Sequence, residues 1–197
     1  MQNQTIITIS RQFGSGGREI AKSLSETLSI PFYDKEIITE AAKKSGLHEN
    51  LFKTAEERPT SLLYSLATGT MPMLDINETV FQIQSKVITE LSQNGSCVFV
   101  GRCADYVLRS NPNACRFFIY AEPQKRLERI MQVYGLNRKN AEDLMIKTDK
   151  KRAGHYNYYT GRKWHAFENY DLCINSSKTG ITGATDIILN YLAIHEQ

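Results

Sequence analysis

A glycine-rich segment near the N-terminus constrains the fold of this chain more than any other feature. It runs as SRQFGSGGRE from Ser10 to Glu19 and directly follows an apolar, β-branched run from Thr5 to Ile9. From Arg18 to Leu28, apolar residues recur at the three- and four-residue spacing of an amphipathic helix. The order of strand, glycine turn and helix is typical of an α/β protein with a buried parallel sheet.

The rest of the chain repeats this alternation. We expect further strands at 31–33, 97–100, 116–120 and 171–175, and helices at 34–42, 77–91, 123–133, 140–152 and 184–194. Gly46 and Gly135 are expected to end two of these helices. The alternation predicts a single domain over residues 1–197, a three-layer α/β/α structure around a central parallel sheet. Residues 46–75 match no regular pattern, and we expect a mobile segment there.

Composition excludes several classes of protein. The 197 residues are 41% hydrophobic and 23% charged, which is ordinary for a globular enzyme and unlike a disordered or fibrous protein. The net charge of +3 does not indicate binding to nucleic acid. No apolar run approaches the roughly 18 residues of a membrane helix, and the start MQNQTIITIS does not resemble a signal peptide. We therefore expect a cytoplasmic protein with no membrane partner.

The four cysteines form no metal or disulfide motif. Cys97, Cys103, Cys115 and Cys173 include no CxxC pair and have no histidine nearby at metal-ligand spacing. Because free cysteine behaves as a small hydrophobe in a reducing compartment, we expect all four to be core thiols.

The glycine segment has the composition of a phosphate-binding loop. Its glycines permit positive backbone dihedrals and close approach of phosphate oxygens, while the N-terminus of the following helix adds partial positive charge. A plain turn would need fewer glycines, and a dinucleotide site would need a final glycine that GSGGRE lacks. The residues expected to bind ATP are Gly14, Ser15, Gly16, Gly17, Arg18 and Glu19.

The segment departs from the G-x-x-x-x-G-K-[ST] pattern in either register. If Gly16 is the second motif glycine, Arg11 replaces the first glycine and Gly17 replaces the lysine. If Gly17 is the second motif glycine, Arg18 takes the lysine position and Glu19 the hydroxyl position. We favour the second register, because Arg18 then supplies the cation that the β- and γ-phosphates require. Glu19 would then contact Mg²⁺ directly or through water.

Residues 9–20, ISRQFGSGGREI, and residues 32–37, FYDKEI, resemble the opening of the cytidylate kinase-like family. The resemblance continues through VFVGRCADY at 98–106, the strand and helix at 117–129, a basic segment and the strand at 171–175. Nucleoside monophosphate kinases, to which this family is similar, have a P-loop core, an acceptor-binding insertion and an arginine-rich lid. The resemblance implies the same parts here, with the insertion at 46–75 and the lid at 147–165.

The resemblance also implies an activity, the transfer of a phosphoryl group from Mg²⁺-ATP to a small acceptor. A nucleoside monophosphate is the expected acceptor, with cytidylate the first candidate. Two alternatives stay open: a regulatory module that binds nucleotide without turnover, and a kinase for a different acceptor. No heptad or interface pattern indicates an oligomer.

The acceptor side of the site is expected near two strand ends. Arg102 follows a buried strand where the related kinases place an arginine that holds the acceptor phosphate or base, although it can instead pair with Asp105. Asp34 and Lys35 are expected to face the same crevice, where they would hold the sugar or base, although Asp34 can equally cap a helix. Asp34, Lys35, Arg102 and Asp105 are therefore the acceptor-binding candidates.

The lid candidates are basic. Lys147, Lys150, Lys151 and Arg152 lie on roughly one helical turn. Such a run is usually a solvated face, but its position predicts phosphate contacts by Lys150, Lys151 and Arg152. The tyrosine-rich stretch from Gly154 to Trp164 either stacks on a base or packs the lid.

Arginines are the expected catalytic residues. Arg18, Arg102 and Arg152 would neutralise the charge that spreads over the transferred group, and no general base is needed because an acceptor phosphate is already an anion. Arg126 and Arg129 are expected to be surface or salt-bridge residues.

Overall fold

A parallel sheet forms the centre of the structure, a computed structural model that describes residues 4–35, residue 39 and residues 72–195. Its strands are β1 (Ile6–Arg11), β2 (Phe32–Tyr33), β3 (Cys97–Val100), β4 (Ala114–Tyr120) and β5 (Leu172–Asn175). They are arranged in the order β2-β3-β1-β4-β5, and every neighbouring pair is parallel. The carboxyl end of β1, which leads into the glycine-rich loop, therefore lies at the middle of the sheet.

Helices follow the strands and cover the sheet. They are α1 (Gly17–Leu28), α2 (Pro72–Gln93), α3 (Ala104–Val107), α4 (Pro123–Tyr134), α5 (Arg138–Thr160) and α6 (Ser176–His195), the last interrupted at Gly180. A short 3₁₀ turn, Phe167–Asn169, precedes β5.

Alternate residues of each strand are buried on opposite faces of the sheet. On one face, Ile7 and Ile9 of β1 belong to a core cluster with α1 and α6. On the other face, Ile6 packs in a cluster that includes Ile88 of α2. Phe118 of β4 packs on that second face with residues of α5. Helices thus cover both faces, and the expected three-layer arrangement is confirmed.

Most of the expected lid residues, 147–165, belong to one long helix. The helix expected at 140–152 continues to Thr160, because Gly154 is accommodated inside the helix and Gly161 is its C-cap. Tyr156 and Trp164 are buried in the cluster beside Phe118, so these two aromatic side chains pack against the core. This burial does not support the alternative prediction that Tyr156 and Trp164 stack on a nucleotide base.

Two expectations fall outside the described residues. These are the end of a helix at Gly46 and most of the segment 46–75; only its last residues, from Pro72 onward, are described, as the start of α2. The expected helix 34–42 is described only at 34, 35 and 39.

Three of the four cysteines are core thiols as expected, namely Cys97, Cys103 and Cys115. The prediction is wrong for Cys173, which is exposed because it lies on the edge strand β5. Among the described helices, none has both the length and the apolar character needed to span a membrane.

Candidate functional site

The glycine segment forms a tight loop between β1 and α1. Gly14 and Gly16 have φ angles of +78° and +76°, and α1 begins at Gly17. A Cβ atom at Gly16 would lie 2.3 Å from Cδ1 of Ile181, and one at Gly17 would lie 2.5 Å from Cβ of Arg11. Side chains are therefore excluded from the loop backbone, which leaves its N–H groups able to approach an anion at the start of a helix.

Side chains from α4, α5 and α6 hold this loop in place. The N–H of Phe13 donates to Oδ1 of Asp149 at 2.8 Å, and Nε of Arg126 donates to the carbonyl of Phe13 at 2.7 Å. Arg126 also forms an ion pair with Asp149. On the other side, the hydroxyl of Ser176 donates to the carbonyl of Ser15 at 2.7 Å. The loop is therefore fixed before any ligand arrives, which favours selective binding of an anion.

A cavity of about 240 Å³ lies over the loop, and we call it the loop cavity. Its polar lining includes three arginines besides Arg11, namely Arg18, Arg129 and Arg152. The guanidinium carbon of Arg129 would lie 3.4 Å from a Cβ at Gly16, and Arg129 forms an ion pair with Glu19. The expected salt-bridge roles of Arg126 and Arg129 are therefore confirmed, and Arg129 also lies over the loop.

Arg18 lies at the edge of the loop cavity. Its Nε and Nη2 atoms donate to Oδ2 of Asp34 at 3.2 and 2.5 Å, and 63% of its side chain is exposed. Asp34 is buried. Because Arg18 belongs to α1, this ion pair holds the carboxylate of Asp34 beside that helix. A contact between Arg18 and the donor phosphates stays a prediction, and it requires Arg18 to exchange Asp34 for a phosphate oxygen.

A second cavity of about 300 Å³ opens beyond the end of β3, and we call it the β3 cavity. Among the described residues, five cationic side chains line it: Arg11, Lys35, Arg102, Lys151 and Arg152. The other described lining residues are apolar or aromatic (Val80, Phe81, Val100, Tyr159) and polar (Asn77, Gln84, Thr148, His155). Arg11 and Arg152 line both cavities, so the two cavities adjoin. Lys150 is exposed on α5 and lines neither of them.

The backbone that carries Arg102 is unusual. Gly101, Arg102 and Cys103 have consecutive φ angles of +73°, +55° and +57°. A non-glycine residue in this region costs on the order of 1–3 kcal/mol and persists only where the surroundings impose it. Here Cys103 is buried in the aromatic cluster with Phe118. Because strained backbone concentrates at functional sites, this turn supports a functional role for Arg102.

Asp105 does not occupy the expected position at the acceptor. It is 3% exposed and lines neither cavity. Its carboxylate accepts a hydrogen bond from the hydroxyl of Tyr156 at 2.7 Å and one from the hydroxyl of Ser10 at 3.3 Å. Burial raises the pKa of this carboxyl group. Asp105 is therefore not positioned to contact an acceptor, because helix α3 directs its carboxylate into the core.

His155 lies in the wall of the β3 cavity against aromatic rings. Its ring centroid lies 4.7 Å from that of Tyr159 and 6.3 Å from that of Phe81. Burial, together with the positive charges of Arg102 and Lys151, lowers the pKa of His155 to about 4. The imidazole is therefore uncharged at neutral pH.

Sequence reasoning missed several lining residues. Arg11 was considered only as a departure from the loop motif, although its place at the end of β1 was a usable signal. Gln84 gave a clearer signal, because it is a polar residue in the apolar stripe that also contains Val80, Val87 and Ile88. Nothing in the sequence indicated that Arg129, far along the chain, would lie over Gly16.

The central parallel sheet, with a glycine loop after its middle strand and arginines around that loop, defines a P-loop kinase-like α/β protein. The class can be narrowed by comparison with known proteins. The chain belongs to the cytidylate kinase-like family, whose model matches residues 6–178. No curated protein matches the chain.

Solved structures support the same fold. An uncharacterized protein from Eubacterium ventriosum ATCC 27560 is 32% identical, with a TM-score of 0.77 over 96% of this chain and 99% of that one. A shikimate kinase from Bacteroides thetaiotaomicron is 15% identical, with a TM-score of 0.58 over 97% and 99% of the two chains. A gluconokinase from Sinorhizobium meliloti 1021 is 13% identical, with a TM-score of 0.53 over 98% and 94%. At such identities the two kinases inform the fold alone.

Proposed function

We propose that this protein is an ATP-dependent phosphotransferase that phosphorylates a nucleoside monophosphate, with cytidylate as the first candidate. The observation that carries the proposal is the junction of the loop cavity and the β3 cavity at Arg11 and Arg152. A triphosphate bound over the loop and an acceptor bound beyond β3 would bring their reacting phosphates together at these two guanidinium groups. Phosphoryl transfer depends mainly on positioning and on cations around the transferred group, which this junction supplies.

In the proposed reaction, an oxygen of the acceptor phosphate forms a bond to the γ-phosphorus of ATP. The bond from that phosphorus to the β–γ bridging oxygen breaks, and ADP leaves with that oxygen. The loop backbone from Gly14 to Arg18 holds the donor phosphates, while Arg102 holds the acceptor phosphate. Arg11 and Arg152 neutralise the charge that develops between them.

The described residues fit ATP with Mg²⁺. When bound, Mg²⁺ would neutralise charge on the donor phosphates. Within the described part of the chain, no group of three or more His, Cys, Asp or Glu side chains could form a metal cage. That is compatible with Mg²⁺, which in such enzymes keeps several waters and takes one or two carboxylates besides phosphate oxygens. Glu19, beside the loop, is the carboxylate we propose, and Arg129 would then turn to the phosphates.

One observation favours the alternative of a binding module without turnover. Two of the arginines around the loop cavity are already in ion pairs, Arg18 with Asp34 and Arg129 with Glu19. If these pairs persist when nucleotide binds, the loop would hold a triphosphate without stabilising its transfer. The family name alone does not decide between the two functions.

The deciding experiment measures ADP formation from Mg²⁺-ATP with a panel of nucleoside monophosphates and a control without acceptor. We expect turnover that depends on one pyrimidine monophosphate. Arg18→Ala should reduce that turnover by about a hundredfold or more, because a cation that contacts transferred phosphate contributes at least this much. The matched control is Lys22→Ala, which removes an exposed cation from the same helix.

The possible results separate the functions. Acceptor-dependent turnover that Arg18→Ala abolishes supports both the kinase and the role of Arg18. Normal turnover in Arg18→Ala removes Arg18 from the mechanism but leaves the kinase. Binding of ATP without turnover for any monophosphate favours the binding module or another acceptor.

A further inference from the structure

Helix α2 places a buried amide in the wall of the β3 cavity. Gln84 is 2% exposed, and it lines this cavity. Its Nε2 atom is buried and has no hydrogen-bond partner among the described residues. Buried amide groups in native proteins are nearly always hydrogen-bonded, so this exception calls for a physical explanation.

Gln84 lies on the apolar face of α2, where an amide without a hydrogen-bond partner lowers the stability of the protein. Val80, Val87 and Ile88 are buried beside it in the apolar stripe of α2. An apolar side chain at 84 would continue that stripe, whereas a buried amide N–H without a partner lowers the stability of the fold. Residues that lower stability in this way are typical of binding sites, where the ligand supplies the missing partner.

The groups around Gln84 indicate the chemistry of that ligand. The rings of Phe81 and Tyr159 stack with centroids 4.3 Å apart, and the edge of His155 packs against Tyr159. Burial and the nearby cations lower the pKa of His155 to about 4, so its ring is neutral near pH 7. These three side chains therefore give the β3 cavity a flat aromatic surface that carries no charge of its own.

Cations line the same cavity, including Arg11 at the end of β1 and Arg102 just beyond the end of β3. A ligand that satisfies both parts must carry an anionic group and an uncharged planar ring with hydrogen-bonding atoms on its edge. A polyol acid would satisfy the cations but would leave the aromatic surface without a planar partner.

We propose that Gln84 is a specificity-determining residue, whose amide hydrogen-bonds the polar edge of a heteroaromatic ring on the anionic acceptor. This inference rests on the proposed function, because it names the group that recognises the acceptor's base. Gln84 binds and does not take part in phosphoryl transfer. Its loss should therefore weaken acceptor binding while ATP binding is unaffected.

The test uses Gln84→Met, which keeps the length of the side chain and removes the amide. We expect the acceptor dissociation constant, measured by calorimetry with cytidylate and uridylate, to rise about tenfold. The dissociation constant for ATP should not change, and the thermal midpoint of the free protein should stay the same or rise, because an unsatisfied amide is gone. Gln82→Met, an exposed change on the same helix, is the matched control. Gln84→Leu is a second variant in case Met packs poorly.

Each contrary result has its own meaning. A free protein that melts well below the Gln82→Met control in both Gln84 variants would make Gln84 a structural residue and overturn the inference. Unchanged cytidylate binding in Gln84→Met would overturn it while the proposed kinase stands. Cytidylate or uridylate binding that is weakened in the variant, without turnover in the wild type, would support the inference and reject the kinase. Wild-type binding of shikimate or gluconate but of no nucleoside monophosphate would reject both.

Discussion

Arg18 and Arg152 were both expected to be catalytic, and their local bonding distinguishes them. Arg18 is largely exposed and paired with Asp34, so it needs a rearrangement to reach a phosphate. Arg152 donates from Nη1 to the carbonyl of Arg11 at 2.9 Å, and its guanidinium lies 5.5 Å from the ring of Phe13. Burial lowers the pKa of Arg152. A half-buried cation that is already oriented stabilises new negative charge more strongly than a largely exposed one, so we rank Arg152 above Arg18.

His155 should make the stability of the protein depend on pH. Folding lowers its pKa from 6.5 to about 4, so the unfolded chain binds the proton first as the pH falls. The stability that comes from neutral His155 is fully present above pH 6.5 and is lost as the pH falls towards 4, by about 1 kcal/mol for each unit. Urea unfolding between pH 7.5 and pH 4.5 measures this loss, where a smaller slope is expected for His155→Gln.

The control for that experiment is His165→Gln, which replaces an exposed imidazole. It should keep the slope of the wild type. Equal slopes in wild type and His155→Gln would show that His155 titrates normally and that the β3 cavity is wetter than its lining indicates.

At the scale of elements, α5 acts as a frame for the loop. Asp149, Arg152 and Tyr156 lie three and four residues apart, so they share one face of the helix. That face bonds the Phe13 N–H, the Arg11 carbonyl and the Asp105 carboxylate. Movement of residues 147–165 as a lid stays a prediction, and it would have to break some of these bonds.

Asp149→Asn tests this frame with almost no change in shape. Arg126 would remain charged and buried but would lose the carboxylate of Asp149. Breaking a buried ion pair in this way typically lowers the free energy of unfolding by about 3–5 kcal/mol. We expect a lower free energy of unfolding in urea and weaker ATP binding, because the single amide oxygen of the substituted side chain cannot accept from both the Phe13 N–H and Arg126. Asp143→Asn, an exposed change on the same helix, should leave both unchanged. Full stability in Asp149→Asn would mean that the loop is held by its other contacts.

At the scale of the whole molecule, Arg11 connects the two cavities. It ends the middle strand, and a Cβ at Gly101 would lie 2.2 Å from Nη1 of Arg11. Its guanidinium group therefore reaches from the end of β1 to the turn after β3. This position follows from the strand order, which places β1 beside β3.

Arg11→Met should therefore affect both substrates of the proposed reaction. We expect kcat to fall by about a thousandfold, as when other arginines are removed from phosphoryl transfer, with weaker binding of ATP and of acceptor. Steady-state kinetics in both substrates measure this. Arg109→Met, which removes an exposed arginine, is the control. Weaker binding of only one substrate would assign Arg11 to one cavity and contradict its shared role.

The sequence alone was sufficient for the arrangement of layers and for the position of the loop. The period of apolar residues specifies which face of a strand or helix is buried, and glycines mark the turn from β1 to α1 because other residues rarely adopt its dihedrals. These are local properties, and they hold wherever the segment lies in the fold. Arg102, which directly follows a buried strand in the sequence, lines the β3 cavity, and its contact with an acceptor stays a prediction.

The tertiary structure decided which side chains meet. Arg18 and Asp34 are 16 residues apart, Arg129 and Glu19 are 110 apart, and Arg152 and Arg11 are 141 apart. No periodic pattern encodes such pairs, because charge and hydrogen bonding depend on distances of a few ångströms between segments that only folding brings together. Asp105 and Gln84 show the same limit: whether a polar side chain faces a cavity or the core depends on the neighbouring elements, which the sequence of one helix does not specify.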